Sequence, residues 1–289
     1  EKKIPGKTAL PVDARETGGR SGADEQSVCS FRQEIRENCT FTVLKQVTMQ
    51  ESALDGTRKY LFELEDHNMV ESVLMRYKHG NSVCISSQVG CRMGCRFCAS
   101  TLDGLVRNLT PAEMLEQIYR ISADTGERVS NVVVMGTGEP LDNYDNLLTF
   151  IRMLTDENGL HISQRNLTVS TCGLVPRIRD LAKEGLQITL ALSLHASNQE
   201  KRLELMPVAK AYDIHEAVDA MQDYFEETGR RVTFEYSLVA GVNDTEEDAR
   251  ELAELIHGIN CHVNLIPVNP IKERDFVQPD GKSVQEFKK

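Results

Sequence analysis

Short apolar runs alternate with amphipathic helical runs from Ser82 onward, and no other feature of the chain narrows its possible folds so far. Strands that alternate with helices are the mark of βα units feeding a parallel sheet. The apolar runs predict strands at 83–88, 131–136, 166–171, 187–194, 231–239 and 261–268. Helical spacing predicts helices near 111–123, 144–155, 174–184, 214–228 and 245–257, with a sixth beginning at 282–289, where the sequence stops. The first helix has a marked start: Thr110 as N-cap, Pro111 at the first helical position and Glu113 to complete a capping box. Six such units make an α/β fold, a partial (βα)6 barrel of TIM-like type. A barrel of roughly 200 to 250 residues fits within the 289 available and leaves a small appendage.

The appendage precedes the barrel. Alternating segments at 41–49, 59–64 and 70–77 are separated by Asp55-Gly56 and by Asp66-His67-Asn68, which predicts a small antiparallel β meander. Residues 1–27 are polar, Gly-rich and poor in large apolar side chains, as in a disordered segment. The expected division is therefore 1–40 as a disordered start, 41–80 as the meander and 81–289 as the barrel. No apolar run approaches the ~18 residues of a membrane span, and the first 26 residues contain no signal-peptide core. The expectation is a cytoplasmic monomer, in a compartment that keeps thiols reduced. A formal charge of −11 argues against non-specific nucleic-acid binding through the overall field. Arg76, Lys78, His79, Arg92, Arg96 and Arg107 still cluster in sequence around residues 76–107, either as an RNA-facing patch or as solvated charge.

In such barrels the working residues stand at the C-terminal ends of the strands. The first strand here runs into Cys91-Arg-Met-Gly-Cys95-Arg-Phe-Cys98. Three thiolates at this spacing can ligate three irons of a cubane cluster and leave the fourth iron open to a substrate. Electron-transfer clusters use four cysteines, so three point to a [4Fe-4S] cluster that opens S-adenosylmethionine (SAM) to a radical. A zinc site would close with a fourth Cys or His, and the neighbouring sequence offers none at a workable spacing. Eight cysteines in 289 residues is also far too sparse for a disulfide scaffold.

The other strand ends are polar or special too. The second leads into Gly136-Thr137-Gly138-Glu139-Pro140, where Gly138 permits close backbone approach and Glu139 offers a carboxylate to the SAM ammonium. Alone, the same residues would make a surface turn. Ser170, Ser193 and Asn269 are short polar groups suited to ribose hydroxyls and an adenine edge, or to capping a turn. Leu194 and His195 follow Ser193 directly; His195 either hydrogen-bonds the cofactor or ties down the next loop. Cys84 lies seven residues before Cys91, too far along a strand to ligate with it. Facing into the barrel it is a redox or covalent thiol; otherwise it is a small buried hydrophobe, the reading given to Cys29, Cys39, Cys172 and Cys261.

Taken together, Ser86-Ser87-Gln88-Val89-Gly90-Cys91, Cys95, Cys98, Ala99-Ser100-Thr101, Arg107-Asn108-Leu109, residues 135–140, 170–173, 193–196 and 264–270 resemble the RlmN/Cfr radical-SAM RNA methyltransferases. The resemblance covers about 55–276. It implies methylation of an adenosine in 23S rRNA, at carbon 2 for RlmN, often with tRNA as a second substrate, or at carbon 8 for Cfr. In that chemistry a methyl group is first placed on a C-terminal cysteine, becomes a methylene radical and adds to the base. A second cysteine, in the position of Cys84, resolves the protein–RNA adduct by forming a disulfide, and a glutamate in the position of Glu71 accepts the proton. As an exposed strand carboxylate Glu71 would otherwise draw no notice. The resemblance also implies a flavodoxin-like electron donor, and a sequence cut at both ends. The methyl-carrying cysteine would lie beyond Lys289, and only 27–47 resemble the family's amino-terminal helical domain. A chain so cut is expected to bind cluster and SAM without completing methylation.

Overall fold

The computed structural model describes Ser30, Gln33 and residues 42–289. The segments expected to be disordered (1–27) or to be the tail of a helical domain (27–47) lie mostly outside these residues, as do Cys29 and Cys39. The chain divides into two units, 1–43 and 44–289, and everything below concerns the second.

The meander forms where the turn residues place it. Strands β1 (Lys45–Glu51), β2 (Arg58–Glu63), β3 (Met69–Tyr77) and β4 (Gly80–Ile85) pair antiparallel in order. Gly56 takes a left-handed φ of 69° in the first turn, and Asp55 Oδ1 accepts the Thr57 N–H at 3.1 Å. Tyr60, Phe62, Val70 and Leu74 are buried on one face, while Lys59 and Glu71 stand on the other. That alternation fixes which face each residue of β3 and β4 shows.

From β4 the sheet turns parallel. Its order continues through β7 (Val129–Val134), β8 (Leu167–Thr171), β9 (Thr189–Ser193), β10 (Val232–Leu238) and β11 (Cys261–Pro267), giving six parallel strands counting β4. Helices α1 (Pro111–Thr125), α2 (Tyr144–Thr155), α3 (Val175–Ala182), α5 (Ile214–Thr228) and α6 (Glu246–Leu255) alternate with them as the apolar spacing predicts. The capping box at Thr110 is formed in both directions. Val83, Ile85, Val132, Leu167, Val169, Leu190, Leu192 and Phe234 join Met114, Ile118, Phe150, Ile151, Ile178 and Met221 of the helices in one core. Alternate strand positions, among them Cys84, Val133, Ser170, Ser193 and Glu235, therefore face the barrel interior.

Two details depart from the expected layout, and a third agrees with it. The run at 83–88 is two strands: β4 ends at Ile85, and Ser86-Ser87 bend the chain into β5 (Gln88–Gly90), which pairs with β6 (Leu105–Asn108) as a separate hairpin. The bend is stable because the buried Gln117 amide accepts the Ser86 N–H at 2.8 Å and donates to Ser86 O at 3.0 Å, replacing ladder bonds. A short helix, α4 (Gln199–Leu205), follows β9, with Asn198 as N-cap. Near the end, α7 (Gly281–Phe287) is a formed helix capped by Asp280, which matches the helix expected to start there. Among the described residues no helix is long and apolar enough to cross a membrane.

Candidate active site

The bend after β4 is what holds the strand ends in place. Ser86 Oγ donates to Glu71 O at 2.7 Å and accepts the Thr137 N–H at 2.9 Å, tying meander, first strand and second strand end together. Gln88 Oε1 accepts the Glu139 N–H at 2.8 Å. Gly138 packs on Gln88 with φ 106°, and a Cβ there would lie 2.5 Å from Gln88 Cβ, so no larger residue fits. Gly90 begins the cysteine loop with φ 71°, its α-carbon so close to Gly104 that a Cβ would fall 1.9 Å from the Gly104 carbonyl oxygen.

The loop itself is pinned from two sides. Thr101 Oγ1 donates to Cys95 O at 3.1 Å and to Cys98 O at 2.9 Å, and the Arg96 N–H bonds to Leu205 O at 2.9 Å at the end of α4. Cys91, Cys95 and Cys98 consequently line one cavity of about 240 Å³ with Gly138, Glu139, Ser170, Ser193 and His195. Burial pushes the Cys91 thiol up to about 11 and the Cys95 thiol up to about 12, the neighbouring cysteines adding to it. Thiolates in this place need a cationic partner, which iron provides. Among the described residues no three His, Cys, Asp or Glu side chains form a site for a single metal ion. The case for a cluster is the shared cavity and its donor set, and these residues fit one.

Glu139 is 3 % exposed. One carboxylate oxygen accepts the Cys172 N–H at 2.7 Å and the other the Leu141 N–H at 3.0 Å, while burial still pushes its carboxyl above the ordinary range. A bound ammonium would supply the countercharge it lacks. Ser170 Oγ and Ser193 Oγ stand 3.3 Å apart on adjacent strands, a pair of hydroxyls facing one spot. The His195 Nδ1 accepts the Ser237 N–H of β10 at 2.9 Å, tying the ring to that strand and not to the loop that follows, while the ring lines the cavity, edge-on to Phe97 with centroids 4.8 Å apart. Burial pushes the imidazole down to about 3, so it stays neutral, and with Nδ1 accepting, the proton belongs on Nε2.

Two expected cofactor residues are not brought to this cavity. Leu194 packs in the hydrophobic core with 0 % exposure, and its backbone N–H is spent on Glu235 O. Asn269 follows the last strand and is exposed, outside the cavity lining. Conversely, Glu235, Cys172 and Met206 line it without having been singled out for it. Glu235 had a readable signal, a carboxylate inside an apolar strand; it is 5 % exposed and held by Asn264 Nδ2 at 2.8 Å. Cys172, read as a small buried hydrophobe, is that and also part of the cavity wall.

Cys84 faces inward on β4, opposite Val73 of β3, and Glu71 is two residues along from Val73 on the same face. Burial pushes the Cys84 thiol up to about 11. Glu71 is half-exposed and paired with Lys59 at 2.7 Å. Of the basic residues considered for RNA, Arg76 is bound to Glu127, Arg92 to Asp142 and Arg107 to Asp66 and Glu113, whereas Arg96 is exposed.

A cysteine-lined cavity at the mouth of six parallel strands agrees with comparison to known proteins. Residues 85–256 match the radical SAM superfamily. A "Probable dual-specificity RNA methyltransferase RlmN" of Lachnospira eligens is 64 % identical over 259 residues, 90 % of this chain and 74 % of that protein. The chain belongs to the RlmN family of radical-SAM RNA methyltransferases. The RlmN relative of Lachnoclostridium phytofermentans is 65 % identical over 238 residues, 82 % of this chain and 67 % of its own. A solved radical SAM methyltransferase from Sphaerobacter thermophilus superposes with a TM-score of 0.86 at 43 % identity, over 92 % of this chain and 79 % of that one. The hydrogenase maturase HydG shares the fold at 19 % identity and a TM-score of 0.53. RlmN-type enzymes belong to a superfamily that uses a [4Fe-4S] cluster and SAM, so Cys91, Cys95 and Cys98 are the residues that would hold the metal here.

Proposed function

We propose that this protein methylates carbon 2 of an adenosine in 23S rRNA, and of one in tRNA, through a methyl-cysteine intermediate and a transient disulfide. The observation that carries the reading is the inward-facing Cys84 beside a strand that shows Glu71 on the same face. A thiol held protonated by burial is protected from stray alkylation until RNA is bound. When bound, cluster and SAM supply the radical chemistry that an electrophilic ring carbon requires. Gly138 and Glu139 hold the ammonium end of SAM, Ser170 and Ser193 its ribose, and the neutral His195 donates from Nε2 while its Nδ1 stays bonded to the backbone of β10. Glu71 accepts the proton that leaves the adenine carbon. Cys84, giving up its proton, then attacks the carrier sulfur: the sulfur–sulfur bond forms, the bond from that sulfur to the RNA-bound carbon breaks with its electron pair passing to the carbon, and a proton taken up there completes the methyl group. The dual-specificity name of the relatives supports the tRNA substrate. We assign a flavodoxin-like electron donor, a monomeric state, a cytoplasmic setting and a division at 40 and 80 into start, meander and barrel on the same reading.

The test is mass spectrometry of ribosomal and transfer RNA from a deletion strain complemented with the full-length gene. The expected product is 2-methyladenosine in both; 8-methyladenosine would move the chemistry to carbon 8, and unmodified RNA would refute the proposal. With Cys84→Ala in the same gene, the enzyme is expected to remain covalently joined to RNA, seen as a nuclease-sensitive band shift.

A further inference from the structure

Arg202 is the largest fully buried side chain among the described residues, with 0 % exposure. It sits on α4, three residues before Leu205, whose carbonyl holds the cysteine loop through Arg96. Its guanidinium donates to Cys172 O at 2.8 Å and more weakly to Tyr212 O at 3.4 Å, while Nε has no partner. Among the described residues no carboxylate lies within ion-pair distance of it. Behind Gly173, the Arg202 Nη2 is so close that a Cβ there would lie 3.0 Å away. A guanidinium does not give up its proton in a protein, and burying a charge without an ionic partner is costly. Cys95, a candidate iron ligand, packs against Cys172, Leu205 and Met206, the residues that surround this end of α4.

We propose that Arg202 is a positioning residue that serves as the countercharge of the cluster, stabilising its reduced and more negative state and so raising its potential. The inference rests on the assignment of a cluster to Cys91, Cys95 and Cys98. One electron enters from an external reductant, and no bond to Arg202 forms or breaks. Redox titration of the anaerobically reconstituted protein with dithionite, followed by electron paramagnetic resonance, separates charge from shape. Arg202→Gln keeps a hydrogen-bond donor and removes the charge; it is expected to make reduction at least about tenfold less favourable, about 59 mV for one electron. Arg202→Lys keeps the charge and is expected to stay near the wild-type potential. An unshifted Arg202→Gln potential, or equal shifts in both variants, would overturn the proposal. So would an Arg202→Gln apoprotein that fails to fold, because the charge has no ionic partner before the cluster arrives. If the wild-type chain never acquires the visible absorption of a cluster, the cofactor assignment itself fails, a result distinct from a loaded cluster with an unmoved potential.

Discussion

Strands β8 and β11 read alike in sequence, an apolar run ending in short polar residues, yet β8 brings the polar Ser170 and Thr171 to the cavity while β11 brings only the apolar Ile266 and leaves Asn269 outside. β8 is paired on both sides, by β7 and β9, and four of its five residues are buried. β11 has only β10 beside it, none of its residues is buried, and Asn269 beyond it is exposed. A strand clamped by two neighbours and a helix layer has its last residue aimed by three contacts, whereas an edge strand has one ladder to hold it. The rule that function sits at strand ends therefore needs a second condition, that the strand be enclosed.

The contrast can be broken most directly at Glu139, whose carboxylate is held by the N–H that follows β8. Glu139→Gln is expected to weaken SAM binding by about 10- to 100-fold, the worth of a charge-assisted hydrogen bond at roughly 1.5–3 kcal/mol, as measured by equilibrium dialysis of the reconstituted protein. Acid tests the next strand end. His195 is neutral when folded, with its pKa pushed down from 6.5 to about 3. Folding then keeps its full contribution above pH 6.5 and loses it progressively as the pH falls toward 3, at a slope approaching about 1.4 kcal/mol per pH unit. Urea unfolding between pH 7 and 4 should show that slope, and His195→Asn should flatten it. The smallest effect belongs to the edge: Asn269→Ala should change SAM affinity by about twofold or less, as for an exposed side chain. Equal losses for Asn269→Ala and Glu139→Gln would erase the distinction between the strands.

The same condition explains what could be read from the residues and what could not. Periodicity located every parallel strand, and the Thr110 capping box located the start of α1 to the residue, because these signals are local. The three cysteines could be picked out by their spacing, and Glu139 and both serines because each follows or ends an apolar run; all six line the cavity. The bend at Ser86-Ser87 was not, since the amide of Gln117, thirty-one residues away, makes it possible. Arg202 was invisible for a related reason: on a short polar helix it reads as surface charge, and only the packing of α4 beneath the cysteine loop buries it.

The hairpin between β3 and β4 has a two-residue turn, Lys78-His79, and pairs Tyr77 with Gly80. Gly80 takes φ 122° there, with Ser130 so near that a Cβ would lie 2.7 Å from it. This turn works as a length gauge for the chemistry. Side chains on a strand change face with every residue, so gaining or losing one residue on the β3 side would turn Glu71 away from the face that Cys84 shows, without disturbing a single cysteine of the loop. The thiol and the carboxylate share a face because a two-residue turn counts them into step.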